Sequence, residues 1–151
     1  MTRSPRLIVL LSLLVGLVST TSAHADLLGH YAGRGDFLSN TGWGNHKDRP
    51  MKLELRFLDN GMLLYRDCWS LEPLPLCVSS QLTVVGNELW HRDQKIGFIT
   101  EDLISTEYRN GNLSILSRME RRPAGFLYES LYQEQNLVTR KKAFLSKTSA
   151  P

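Results

Sequence analysis

The chain is poor in the residues on which most protein chemistry depends. Only two cysteines occur in 151 residues. They are not in C-x-x-C spacing, which excludes a thioredoxin-like redox motif and a cysteine-rich zinc cluster. Of the four histidines, three lie beyond the first 25 residues: His30, His46 and His91. None sits in an H-x-H or H-E-x-x-H pattern, so no metal site is expected. Ser-x-Gly elbows, glycine-rich phosphate loops and paired carboxylates at defined spacing are also missing. No catalytic residue and no cofactor can be nominated, and the reading is non-enzymatic. A formal net charge of only +3, without a basic stripe interleaved with aromatics, argues against nucleic-acid binding. Past the N-terminus, no apolar run approaches the roughly 20 residues that a membrane-spanning helix needs.

What is present begins with an address. Arg3 and Arg6 precede a mostly apolar run from Leu7 to Val18, and Ala23-His24-Ala25 follows as a small-x-small cleavage site. This pattern predicts a signal peptide over residues 1–25 and a mature N-terminus at Asp26. No cysteine follows the apolar run, so a lipid anchor is not expected. The predicted location is the periplasm or the medium. Removing Arg3 and Arg6 leaves a mature net charge of +1, so much of the basic balance belongs to the leader. Two cysteines in an exported chain predict a disulfide, Cys68 to Cys77.

From Gly29 onward the hydrophobic period is 2. Met51, Leu53, Leu55 and Phe57 alternate with Lys52, Glu54 and Arg56, as in a half-buried strand. Asp59-Asn60-Gly61 suits a three-residue hairpin loop closed by a left-handed glycine. That loop sets Met51, Leu53, Leu55 and Phe57 opposite Trp69, Asp67, Tyr65 and Leu63, with the large aromatics inward. Cys68 then points outward. Val78, Ser80, Leu82 and Val84 form the inner face of the next strand, so Cys77 also points outward. The two cysteines share a face, which agrees with the predicted disulfide.

Further turns are expected at Gly86-Asn87, Asp93-Gln94, Thr100-Glu101-Asp102, Asn110-Gly111 and the Arg122-Pro-Ala-Gly segment. A loop at Asn110-Gly111 would set Tyr108, Thr106 and Ile104 against Leu113, Ile115 and Ser117. Phe126, Tyr128 and Tyr132 mark the inner face of another strand. Residues 137–147 fit either a helix or a strand that closes against the first one, and the strand reading is preferred. Helical crossovers are absent. The predicted fold is therefore all-β: one antiparallel up-and-down barrel of 8–10 strands over residues 26–147, with a frayed tail at 148–151.

Gly29-x-Tyr31, the uninterrupted hairpin meander and the arginine-bearing last strand resemble a bacterial lipocalin-like domain of the calycin type. Tyr31 stands where that family has tryptophan, and Arg140 is the matching candidate for the arginine that packs over it. A Thr-Asp-Tyr loop motif is not found. The resemblance implies a closed barrel that carries a small apolar ligand.

Arg34-Gly35-Asp36 has the form of an adhesion tripeptide. It continues the alternation anchored by Tyr31 and Phe37, so it reads as part of a twisted or bulged first strand. The expected functional surface is the polar, glycine-rich stretch Leu38 to Pro50, which carries Trp43. Trp43 is expected as a lid on one barrel end, above walls formed by Tyr65, Asp67, Trp69, Tyr108 and Tyr128. Asp67 is expected to pair with an arginine or with tyrosine hydroxyls, or alternatively to contact a ligand head group. Arg140, Lys141 and Lys142 read as a solvated charge run, with contact to an anionic lipid or glycan as the other use. Two functions follow: an exported binding protein of the bacterial envelope for an apolar or amphipathic ligand, or a protein-interaction module, such as an inhibitor of an exported hydrolase, with a packed barrel. An internal cavity above roughly 300 Å³ separates them.

Overall fold

Alternation of apolar and polar residues resolves into ten strands in a computed structural model that describes residues 24–149. The predicted signal peptide lies outside the described residues apart from His24 and Ala25, as does the tail beyond Ser149. The strands are β1 (Gly29–Ser39), β2 (Asn45–Phe57), β3 (Leu63–Trp69), β4 (Leu76–Val85), β5 (Glu88–His91), β6 (Gln94–Ile99), β7 (Leu103–Asn110), β8 (Leu113–Arg122), β9 (Gly125–Glu134) and β10 (Leu137–Thr148). Each pairs antiparallel with the next, and β10 pairs with β1 to close the barrel. The segment 137–147 is thus strand, and Thr148, predicted as tail, is its last residue.

The β2–β3 hairpin has the predicted register. Met51 faces Trp69, Leu53 faces Asp67 and Leu55 faces Tyr65. The Leu58 amide donates to the Met62 carbonyl at 2.8 Å, and Gly61 takes φ 78° to close the loop. Cys68 and Cys77 are direct cross-strand partners, joined by a disulfide. Phe57 departs from expectation. It belongs to the inward series but is the last residue of β2, where the barrel wall ends, and it is exposed.

Two turns shift. The β7–β8 loop is Gly111-Asn112, not Asn110-Gly111, so Tyr108 faces Ile115, Thr106 faces Ser117 and Ile104 faces Met119. Gly111 has φ 57° at the first loop position, which is the residue a type II′ turn requires with positive φ. The register error is two residues, so every side chain keeps its predicted face. The β5–β6 turn is Arg92-Asp93, with Arg92 left-handed at φ 57°.

Strand β1 carries the Arg-Gly-Asp triplet in the pleat, as predicted, beside a bulge. The extra residue belongs to β2, because Gly35 faces Arg49 whereas Phe37 faces His46. Asp48 sits there at φ 49°. Arg34 Nε donates to Asp48 Oδ1 at 2.8 Å, and Asp36 Oδ1 accepts from the Asp48 amide at 3.0 Å. The triplet's charged side chains therefore hold the bulge. Gly33 and Gly35 point inward, and a Cβ at either would overlap the β10 carbonyl oxygens of Phe144 and Lys142. Close approach of backbones at the closing seam requires glycine there.

One end of the barrel is packed solid. Leu27, Leu55, Leu63, Leu89, Ile99, Ile104 and Met119 are buried there, and Tyr31 meets Phe126 edge-on at 5.0 Å. A 3₁₀ turn, Ala25–Leu27, caps this end, and the Tyr31 hydroxyl donates to the Leu27 carbonyl at 2.7 Å. The cation over the Tyr31 ring is Lys147, 6.0 Å away. Arg140, nominated for that place, is exposed and pairs with Leu38 and Leu131, because its position in β10 alternates outward.

Candidate functional site

The opposite end carries the connections 40–44, 70–75, 92–93, 111–112 and 135–136, and behind them lies a cavity of about 550 Å³. Its origin is a row at one height of the wall in which three of four side chains are small and the fourth, a lysine, is drawn aside into an ion pair. Thr106 on β7, Ser117 on β8, Ser130 on β9 and Lys141 on β10 are successive cross-strand partners. All four line the cavity. A row lower, Ile104, Met119, Tyr128 and Ala143 are likewise partners, and all are buried. Replacing Ile, Met and Tyr by Thr and Ser leaves volume that the far wall fills only in part, since Tyr65 reaches Ser117 and the space around them stays open. Nearer the mouth, Leu76, Val78, Ile115, Tyr132 and Leu137 line the opening. Val78 and Leu137 are 47% and 46% exposed although they belong to the lining, so solvent reaches in.

Five of the six nominated wall and lid residues converge. Trp43, Tyr65, Asp67, Tyr108 and Tyr128 all line the cavity. Trp69 does not line it. It is fully buried beside the cavity, edge-on to Phe37 at 5.9 Å, because Phe37 and Trp69 together fill the β1–β3 side of the barrel. Trp43 is on the rim and 39% exposed. The stretch Leu38 to Pro50 is mostly strand, since Leu38 pairs with Asn45, and the loop proper is residues 40–44. The Ser39 amide and Asn45 Oδ1 close its base at 2.9 Å, and His46 Nε2 and the Trp43 carbonyl are 2.7 Å apart. His91 joins the lining and stacks edge-on to Tyr108 at 5.4 Å. Among the described residues, no group of three or more His, Cys, Asp or Glu is placed to hold a metal ion.

Asp67 organises the polar side of the cavity. Its Oδ2 accepts from Trp69 Nε1 at 3.1 Å, from the Tyr128 hydroxyl at 3.1 Å and from Lys141 Nζ at 2.6 Å. The Lys141 and Asp67 side chains are only 10% and 4% exposed. Lys141 was read from the sequence as part of a solvated charge run. It points inward instead, because Leu137, Thr139, Lys141, Ala143 and Leu145 share one face of β10. That parity was the signal available in the sequence, and the basic cluster obscured it. Beside the pair, Ser117 Oγ donates to the Tyr65 hydroxyl at 2.8 Å. Burial pushes the Tyr65 and Tyr128 phenols well above their ordinary range. They are neutral hydrogen-bonding groups at physiological pH. Ser117, Ser130, Thr106 and Thr139 were not nominated, since an isolated inward Ser or Thr carries no pattern of its own.

No family model matches the chain, and no curated protein is significantly similar to it in sequence. A solved structure from Nostoc punctiforme, described as a protein of unknown function from the DUF3598 family, superposes with a TM-score of 0.56 at 12% identity. The match covers 82% of this chain and 48% of that one, so this chain spans about half the neighbour's length. At that identity the likeness is one of fold: an antiparallel β-barrel shared with a protein whose function is itself unknown.

Proposed function

We propose that this is an exported, non-enzymatic binding protein of the bacterial envelope, lipocalin-like in build, that holds a small apolar or amphipathic ligand in the open end of its barrel. The observation that carries this reading is the cavity of about 550 Å³, rimmed by Trp43 and backed by a packed opposite end. Its volume lies in the roughly 300–1,000 Å³ range of small-molecule sites. The interaction-module reading called for a filled barrel, which a cavity of this size does not supply. Export is supported by the leader pattern and the disulfide. No described helix is long and apolar enough to cross a membrane. The outer wall carries Lys52, Glu54, Arg118, Glu120, Glu129 and Lys142, whereas a lipid-facing barrel needs an apolar band about 25 Å tall.

The test is a fluorescence titration with fatty acids, retinoids and a hydrophobic dye. Binding at micromolar ligand should quench or shift the tryptophan emission of the wild type, and Trp43→Ala should lose most of that change. If none of these ligands alters the emission or displaces the dye, the proposal fails and the interaction-module reading replaces it.

A further inference from the structure

The proposed ligand site has a direction and a charge preference. Thr106, Ser117, Ser130 and Lys141 each lie four residues inside their strands from the open end, which is about 13 Å along the wall. Asp67, with its bonds to Tyr128 and Lys141, faces the same depth. Leu76, Ile115 and Leu137 lie at the mouth. The mouth also carries Thr41, His91, Tyr108 and Tyr132, but the charged pair of the lining, Asp67 and Lys141, lies deeper, so an amphipathic molecule fits head first, with its tail against the mouth and the Trp43 rim.

The floor is also electrically closed. Asp67 and Lys141 pair at 2.6 Å with little exposure, so their opposite charges cancel where water is scarce. All three donors to Asp67 converge on Oδ2, which leaves Oδ1 free of them as an acceptor. Lys141 spends one of its three N–H donors on the pair. The complementary head group thus accepts from Lys141, donates to Asp67 and brings no net charge. An ionised carboxylate would meet the Asp67 carboxylate at the same spot, and an ammonium would meet Lys141. Either would bury a net charge with no partner of its own. Resting on the binding reading above, we infer that the cavity selects neutral, hydroxyl- or amide-headed amphiphiles over both fatty anions and alkyl cations.

Three probes with one tail, decanol, decanoate and decylamine, test this by displacement of a bound hydrophobic dye at pH 8. Decanol should displace the dye at a concentration at least tenfold lower than either ion. Asp67→Asn keeps an acceptor for Trp69 and Tyr128 but leaves Lys141 unpaired, so decanoate should gain at least tenfold on decanol. Lys141→Met should shift the preference toward decylamine in the same way. Should either variant fail to fold, the wild-type ranking alone decides. Dye binding with decanoate or decylamine equal to or better than decanol overturns the charge preference and leaves the binding site standing. Failure of the dye and of all three probes to bind overturns the site and this inference together.

Discussion

The two ends of this barrel are built by the same strands with the same alternation, yet one is a core and the other a cavity. At the closed end the inward positions carry Leu27, Tyr31, Leu55, Leu63, Ile104, Met119 and Phe126, and they meet across the axis. At the open end the equivalent positions carry Thr106, Ser117, Ser130 and Thr139, where Ser117 bonds to Tyr65 across the axis and volume is left open around that contact. Backbone pairing is continuous through both. The difference shows that a ten-stranded wall does not decide whether a barrel is filled. Its interior is wider than eight strands would enclose, and side-chain volume row by row does the rest. Buried apolar side chains fill one end, and at the other they share the interior with a cavity.

That contrast can be broken at several points, the first with the largest effect. Leu55→Ala removes a fully buried side chain from the closed end and should cost about 2–5 kcal/mol. A denaturant titration measures it, and a loss under about 1 kcal/mol would show that the closed end is not the stabilising half. Reduction of Cys68–Cys77, which closes a short loop on the outer wall, should cost about 2.5–3 kcal/mol on chain-entropy grounds. The urea midpoint should fall with dithiothreitol while the chain remains folded. An unchanged midpoint would mean that the β3–β4 connection is held by strand pairing alone.

Alkali tests a buried phenol of the closed end. Burial raises the Tyr31 phenol from 10.0 to about 12, with Arg121 opposing the rise. A folded value above the unfolded one means the contribution is whole below about pH 10 and disappears as pH rises through 12. Urea midpoints should fall between those values, and Tyr31→Phe should flatten part of that fall, at the cost of its bond to the Leu27 carbonyl. A slope identical in the variant would remove Tyr31 from the account.

The smallest stability effects belong at the open end. Val78→Ala should change stability by no more than about 1 kcal/mol, since its side chain already faces solvent in the cavity. Ser130→Leu sharpens the comparison further. It fills empty volume at the floor and should alter stability by no more than about 1 kcal/mol, while dye binding falls at least tenfold. A large destabilisation by this substitution would show that the row of small residues is tightly packed after all.

Much of this architecture was legible because it is local. The β2–β3 register followed from Asp59-Asn60-Gly61 and the alternation on either side, and the facing cysteines followed from that register. The β7–β8 register slipped by two because Asn110-Gly111 and Gly111-Asn112 both offer turn chemistry. Arg140 was misjudged for want of the β10 phase, and the same phase hid Lys141 among surface charges. Trp69 was placed on the cavity wall because alternation tells inside from outside but not core from lumen.

The sequence by itself determined the strands, their faces apart from that of β10, most hairpin registers and the disulfide, because these rest on period 2 and on turns of a few residues. Tertiary structure alone decided that Lys141 would meet Asp67, 74 residues away along the chain, and that Thr106, Ser117 and Ser130 would stand in one row. A side chain's volume becomes a cavity only in relation to what faces it. That relation depends on the number of strands in the wall and on the summed register of every pairing around it.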